Sequence, residues 1–220
     1  MSLDIKPELA KFINALEQFN QLLTNYNQTQ PYFLFGSTAL AIWLAQSKQK
    51  LNFNLEFEDL DFFTTKKTIH SLKKCLDQQQ ISYTFVDEQY AFPDLNNPIK
   101  PINLQFNFAE VEFDIWSGVG DGIIASADNQ TSLAQVDIRD AINFLNQKIK
   151  IFQPDAIANI YQHLIIPKEL AKNQQHHQLK NNIEALLFDR KEKIELAESL
   201  TKSFSTETNI FSQAKLALTI

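Results

Sequence analysis

The sequence predicts an α+β protein, with a mixed α/β arrangement of one mixed β-sheet, flanking helices and a helical C-terminal region. Short apolar runs alternate with helical repeats in the first part of the chain, and two later runs follow each other without a helix between them. Beyond Pro154 every periodic segment is helical. We therefore expect a sheet domain over residues 1–152 and a helical region over residues 153–220.

The first half of the chain begins with an amphipathic helix. Apolar residues at helical spacing predict this helix from Pro7 to Thr24. Pro31 to Phe35 is predicted to be a buried strand, and Thr38 to Ala45, apolar on every face, a buried helix. Phe53 to Thr64 is predicted to be a second strand that is apolar first and acidic towards its end.

The later elements are predicted from runs rich in β-branched and aromatic residues. A helix over Lys66 to Gln79 precedes them, and Pro154 with Asp155 begins the first C-terminal helix, with proline in the first turn. The later strands are Ile81–Val86, the antiparallel pair Ile102–Phe108 and Val111–Trp116, and the closing pair Ile142–Phe144 and Lys148–Phe152.

The composition is that of a globular protein with a substantial core. Of the 220 residues 44% are hydrophobic, which suffices for a core, while no apolar stretch is long enough to span a membrane. Cys75 is the only cysteine, so an internal disulfide is excluded. Because the N-terminus also lacks the pattern of a signal peptide, we expect a cytoplasmic protein.

The charge argues against a protein that binds extended DNA. The net charge is −6, and Arg139 and Arg190 are the only arginines, so a broad basic surface for duplex phosphates is absent. A nucleotide remains compatible with this composition, because a bound metal ion can supply the positive charge.

Two aspartates alternate in the second predicted strand. Side chains two residues apart share a face of a strand, so Asp59 and Asp61 point the same way. Carboxylates this close repel each other, and a bound Mg²⁺ or Mn²⁺ would relieve the repulsion. The alternative is that these acids are the solvated end of an edge strand.

A glycine and a serine follow the first predicted strand. Gly36 lets a phosphate approach the backbone amides at the start of a helix, and Ser37 adds a hydroxyl donor. The alternative for Ser37 is an ordinary helix N-cap.

A site that removes a proton from an attacking hydroxyl would need a third acidic residue. Asp114 has apolar neighbours on both sides in its predicted strand, which makes its burial without a function costly. A surface stripe of Glu110, Glu112 and Asp114 explains the same pattern.

The motif order resembles that of a known superfamily. The segment FLFGSTALAIWLA, then EDLDFF and a later strand aspartate, resembles the nucleotidyltransferase fold of the DNA polymerase β superfamily, and most closely the AbiE-type toxin nucleotidyltransferases. The resemblance implies a nucleoside triphosphate (NTP) as substrate and transfer of a nucleoside monophosphate to an acceptor hydroxyl. It also implies an antitoxin or an RNA acceptor as a partner.

The resemblance also assigns roles to the residues singled out above. It implies that Asp59 and Asp61 hold two Mg²⁺ or Mn²⁺ ions together with Asp114, which would also activate the acceptor hydroxyl. Gly36 and Ser37 would hold the triphosphate.

The chain departs from the toxin pattern in two places. Leu55 and Phe57 stand where toxin relatives often carry a basic residue and Ser or Thr, and in the late helix only Lys180 keeps a charge, as a candidate triphosphate or RNA contact. A degenerate binding domain or an antibiotic-modifying nucleotidyltransferase are therefore alternatives.

The charges from Asp189 to Lys193 are interpreted as surface ion pairs.

Overall fold

The computed structural model describes residues 6–47, 58–87, 102–117, 141–145, 148–165 and 180–202. Within these residues the predicted class is confirmed, because a seven-stranded mixed sheet is flanked by helices. None of the described helices combines the length and the apolar character that crossing a membrane requires.

The first half of the chain forms the predicted elements with small changes at their ends. The second strand begins at Asp59, whereas the sequence predicted a start at Phe53; Glu58 precedes the strand, and residues 53–57 lie outside the described residues. The elements are α1 (Lys6–Asn25), β1 (Tyr32–Phe35), α2 (Gly36–Gln46), β2 (Asp59–Thr64) and α3 (Lys66–Gln78).

The second half supplies five more strands and the C-terminal helices. The predicted antiparallel pair Ile102–Phe108 and Val111–Trp116 is confirmed. The predicted closing pair is also present, and the structure shows it to be antiparallel. Pro154 lies in the first turn of its helix as predicted. The elements are β3 (Tyr83–Asp87), β4 (Ile102–Phe108), β5 (Val111–Ser117), β6 (Ala141–Leu145), β7 (Ile149–Phe152), α4 (Pro154–Ile160), a π-helical turn (Tyr161–Ile165) and α5 (Lys180–Thr201).

The C-terminal helices pack on each other and on the sheet domain. α4 and α5 contact each other, and both contact α2, which itself lies on β1 and β2. The Trp43 indole of α2 donates a buried hydrogen bond of 2.8 Å to the carbonyl oxygen of Phe152, where β7 leads into α4. The division of the chain at residue 152 stays a prediction.

Strand β2 lies in the middle of the sheet. The strand order is β3-β4-β5-β2-β1-β7-β6, with β2 parallel to β5 and antiparallel to β1. The alternative that Asp59 and Asp61 end an edge strand is therefore wrong. β1 pairs with one side of β2 and β5 with the other. Because β5 lies much later in the chain, the local sequence around β2 does not reveal this second pairing.

An aromatic cluster fixes which face of the sheet is buried under α1. The Phe19 ring of α1 lies 4.9 Å from that of Phe113, 5.8 Å from Phe62 and 6.1 Å from Phe106, measured between centroids. These rings from β5, β2 and β4 therefore share one face of the sheet. Their neighbours along each strand point to the opposite face.

Candidate active site

The pairing of β2 with β5 brings the three predicted aspartates together. In the parallel register Asp61 is the partner of Asp114, and Asp59 is the partner of Glu112. These side chains lie on the face opposite the aromatic cluster. One carboxylate oxygen from each of Asp59, Asp61 and Asp114 lies within 4.8 Å of the others.

The three carboxylates differ from an ordinary surface stripe in their burial. Asp114 is buried, with 8% of its surface exposed, and Asp59 and Asp61 are half-buried, whereas Glu112 is exposed. The surface-stripe interpretation is therefore wrong for Asp114. The buried amide of Asn103 on β4 donates a hydrogen bond to Oδ1 of Asp114, which orients that carboxylate.

Burial and mutual repulsion make the carboxylates of Asp59 and Asp61 hold protons more tightly. Burial raises the pKa of Asp59 to about 6, with Asp114 and then Glu112 adding to the effect. Burial also raises the pKa of Asp61 well above its ordinary value, and the charges of Asp59 and Asp114 act in the same direction. A divalent cation would relieve this repulsion.

The donor set of the cluster fits a hard divalent cation. Asp59, Asp61 and Asp114 offer only carboxylate oxygens, which are the ligands that Mg²⁺ and Mn²⁺ prefer. Their crowding in a partly buried position costs free energy when no cation is bound. The residues present therefore fit a hard divalent cation.

Gly36 makes room for one of the carboxylates. Its φ is +80°, in the left-handed region, and a Cβ added at this position would lie 2.0 Å from Oδ2 of Asp61. The close approach follows from the antiparallel register, in which Phe35 is the partner of Asp61. The structure thus supplies a reason for glycine that the sequence did not show. The phosphate contact of Gly36 stays a prediction.

The first turn of α2 is tied to the start of β2. Phe35 is the N-cap of α2, so the alternative that Ser37 caps the helix is wrong. Ser37 is buried in the first turn. The hydroxyl of Thr38 donates a hydrogen bond of 3.0 Å to the backbone carbonyl of Asp59. The helix start and the carboxylates are therefore held against each other, as a site for a metal-bound phosphate would require.

Helix α5 brings two cations towards the carboxylates. Asp189 Oδ2 lies 2.9 Å from Arg190 Nη1 and 3.0 Å from Lys193 Nζ. Both cations lower the pKa of Asp61, but burial and repulsion from the neighbouring carboxylates raise it by more. The predicted ion pairs are therefore present. The prediction that they lie on the surface is wrong for Lys193, which is buried.

The sequence contained a signal for the burial of Lys193. It precedes the buried residues Leu196, Ala197 and Leu200 at helical spacing, so it belongs to the buried face of α5. A lysine on an apolar helix face is uncommon unless it is paired, as Lys193 is with Asp189. Lys180 is the first residue of α5, and its side chain lies outside the described part of the structure, so its role stays a prediction.

Tyr161 is a further residue that sequence reasoning missed. It is buried at the start of the π-helical turn, with Arg190 Cζ 5.8 Å and Lys193 Nζ 5.9 Å from its ring centroid. Burial, and next the charge of Asp61, raises the pKa of its hydroxyl well above the ordinary value. The Tyr161 ring therefore lies within cation–π distance of both cations. π-helical turns are frequent at functional sites.

Comparison with known proteins identifies the fold. No protein-family model matches the chain, and no curated protein matches it. The antibiotic-resistance factor ANT(2'')-Ia in complex with adenylyl-2''-tobramycin aligns over 97% of this chain and 95% of its own, with 10% identity and a TM-score of 0.43. The Megavirus polyadenylate synthase aligns over 94% of this chain, with 11% identity and a TM-score of 0.50.

The chain has a nucleotidyltransferase-like fold. It spans 37% of the length of the polyadenylate synthase, so the likeness concerns one part of that protein. The predicted nucleotidyltransferase fold is thereby supported, whereas the resemblance to AbiE-type toxins stays a prediction.

Replacing Gly36 by Ala is expected to destabilise the protein by roughly 2–5 kcal/mol, since the new Cβ meets Asp61 Oδ2 and the left-handed φ disfavours a side chain. In an Asp61→Ala background the same replacement is expected to cost only about 1–2 kcal/mol, because the clashing carboxylate is gone. Urea denaturation of the four proteins measures both values. Equal costs in the two backgrounds would contradict the contact.

The raised pKa of Asp59 predicts how the effect of Mg²⁺ depends on pH. The folded protein binds this proton more tightly than the unfolded chain, so ionisation of Asp59 destabilises the fold as the pH rises from about 4 through about 6. Mg²⁺ at a hundred times its dissociation constant is expected to add about 2.7 kcal/mol of stability near pH 7.5 and much less near pH 5. Thermal denaturation with Mg²⁺ and with a chelator measures this difference. An equal effect of Mg²⁺ at both pH values, or in an Asp59→Asn variant, would contradict it.

Proposed function

We propose that this protein is a metal-dependent nucleotidyltransferase that transfers a nucleoside monophosphate from an NTP to an acceptor hydroxyl and releases pyrophosphate. One observation carries the proposal: Asp59, Asp61 and Asp114 converge within 4.8 Å on two central parallel strands, next to the turn at Gly36. The nucleotidyltransferase-like fold supports it.

The three carboxylates would hold Mg²⁺ or Mn²⁺. When bound, such ions neutralise phosphate charge and stabilise the attacking and leaving oxygens of the transfer. The contribution of the chain is to position the ligands. The β2–β5 register places Asp61 beside Asp114, and the Asn103 amide holds Oδ1 of Asp114.

The transfer balances with the groups that the site supplies. The acceptor oxygen forms a bond to the α-phosphorus, and the bond from the α-phosphorus to the oxygen bridging to the β-phosphorus breaks. The electron pair of that bond leaves with pyrophosphate. The hydroxyl proton passes to the carboxylate of Asp114, which is the buried member of the cluster and is oriented by Asn103.

The triphosphate would lie between α2 and α5. Gly36 and Ser37 form the first turn of α2, where backbone amides and the positive end of the helix dipole favour a phosphate. Arg190 and Lys193 of α5 supply positive charge close enough to act on Asp61. We propose these two cations, together with the predicted Lys180, as partners of the leaving pyrophosphate.

The finer biological role rests on motif order alone. The segments FLFGSTALAIWLA and EDLDFF support a proposal that the protein is a cytoplasmic toxin of a toxin-antitoxin pair. A catalytically degenerate binding domain and an antibiotic-modifying nucleotidyltransferase are the alternatives, and the departures at Leu55 and Phe57 favour the first. All three roles use the same nucleotide site.

Loss of the metal ligands is expected to remove nucleotide binding. In an Asp59→Asn, Asp61→Asn double variant the affinity for Mg²⁺-NTP should fall by at least about tenfold, because two of the three carboxylates that would hold the ions are lost. Calorimetric titration with each of the four common NTPs measures it. The control Asp77→Asn changes an exposed carboxylate of α3 that accepts a hydrogen bond from Tyr83 and should bind as the wild type does. Equal affinity of wild type and double variant would contradict the site.

Lys193 is expected to contribute to NTP affinity. A Lys193→Met variant keeps the apolar stem but loses the charge, and its dissociation constant for Mg²⁺-NTP should rise about tenfold, as for one charge-assisted contact. Lys202→Met, an exposed lysine beyond the end of α5, is the matched control. Titration of both variants, with thermal denaturation to confirm folding, measures the effect. A change below about twofold in folded Lys193→Met would contradict the assignment.

A further inference from the structure

Asp189 is a counter-ion that Arg190 and Lys193 share. Its Oδ2 accepts a hydrogen bond of 2.9 Å from Arg190 Nη1 and lies 3.0 Å from Lys193 Nζ. The side chain of Asp189 is 43% exposed, whereas that of Lys193 is only 10% exposed and that of Arg190 22%. One carboxylate that solvent reaches therefore pairs with two cations that the protein largely covers.

The position of Lys193 makes a partner of opposite charge necessary. The residue lies on the buried face of α5, ahead of Leu196 and Ala197. An ammonium group that is taken out of water without a counter-ion is costly. The Tyr161 ring, whose centroid lies 5.9 Å from Lys193 Nζ, offers only the weaker attraction of an aromatic face. Asp189 therefore supplies the negative charge that Lys193 requires.

The two cations also lie within electrostatic reach of the proposed metal ligands. They lower the pKa of Asp61, although burial and the neighbouring carboxylates raise it by more. Burial and then the charge of Asp61 raise the pKa of Tyr161, and Asp189 adds to this effect more weakly. Arg190 and Lys193 therefore interact both with Asp189 on their own helix and with the carboxylates of the sheet.

A phosphate beside the sheet carboxylates would compete with Asp189 for these cations. Pyrophosphate carries several negative charges and several acceptor oxygens, whereas Asp189 presents one oxygen to both cations. The flexible stem of a lysine lets its ammonium group turn from one acceptor to another. Asp189 is adjacent to Arg190 and one helical turn before Lys193, so it stays within reach of both whichever anion they contact.

We infer that Asp189 competes with pyrophosphate for Arg190 and Lys193 and thereby promotes the release of this product. The inference rests on the proposed function, which makes pyrophosphate the product. Asp189 holds the two cations before the nucleotide arrives, yields them to the phosphates, and takes them back as pyrophosphate leaves. It is a positioning residue that lowers the affinity for phosphate, and it takes no part in the making or breaking of bonds.

The test measures the binding of inorganic pyrophosphate in the presence of Mg²⁺ by calorimetric titration. Asp189→Asn is expected to bind pyrophosphate about fivefold more tightly than the wild type, because the competing partner of two charge pairs is removed. A purely structural role of Asp189 predicts weaker binding, since Arg190 and Lys193 would then be misplaced in the variant. Glu198→Gln removes the same charge from an exposed position of α5 and is the matched control, with an affinity equal to that of the wild type.

A second background assigns the effect to the cations. In a Lys193→Met protein, Asp189→Asn should tighten pyrophosphate binding only about twofold, because Arg190 alone remains to be released. This double variant no longer buries a lysine at position 193, so it carries the test if Asp189→Asn alone does not fold. Equal or weaker binding after Asp189→Asn in either background, or a fivefold gain that persists with Lys193→Met, would overturn the inference.

Failure of the inference is distinguishable from failure of the proposed function. Pyrophosphate release is measured separately with each NTP, since the titrations involve no chemistry. If none of the proteins binds pyrophosphate, the proposed phosphate site is removed and the inference with it. Equal binding by wild type and Asp189→Asn keeps the site and overturns the inference alone. Tighter binding by Asp189→Asn without release from any NTP keeps the competition and removes the transfer reaction.

Discussion

The parallel pairing of β2 with β5 is the contact on which the proposed site depends. It aligns Asp61 with Asp114, although the two residues lie far apart in the chain. A slip of one residue in either strand would turn its aspartate to the opposite face and replace it with an apolar side chain. Phe62 and Phe113 oppose such a slip, because both are fully buried in the cluster around Phe19. Hydrophobic packing on one face of the sheet thus sets the positions of the carboxylates on the other.

Crowding the carboxylates on one face of the sheet costs free energy. Packing of the aromatic cluster on the opposite face offsets that cost. The carboxylates of Asp59 and Asp61 have raised pKa values, and Gly36 takes a left-handed conformation so that Asp61 can approach the turn. Such crowding of carboxylates persists only where the surrounding structure holds them in place. Here the aromatic cluster under α1 and the hydrogen bond from Thr38 to β2 provide that support. The cations of α5 relieve only part of the repulsion, which leaves the cluster suited to a divalent ion.

Local sequence patterns were sufficient for much of this arrangement. The period of apolar residues predicted α1, a segment apolar on every face predicted α2, and runs of β-forming residues predicted the two strand pairs. The spacing of Asp59 and Asp61 was sufficient to place them on one face, and the apolar neighbours of Asp114 indicated its burial, which the structure confirms. Local sequence patterns predicted neither the start of β2 nor its central position in the sheet. Both depend on pairing with strands elsewhere in the chain.

The sequence by itself determined which segments are helices and strands and which side chains share a face within one element, because backbone periodicity is a local property. Only the tertiary structure decided that Asp114 joins Asp59 and Asp61, that Gly36 abuts Asp61, and that α5 brings buried Lys193 towards the acids. Each of these depends on register and packing between segments distant in the chain. Such contacts arise from the joint burial of many side chains, which the spacing of residues in any one segment does not record.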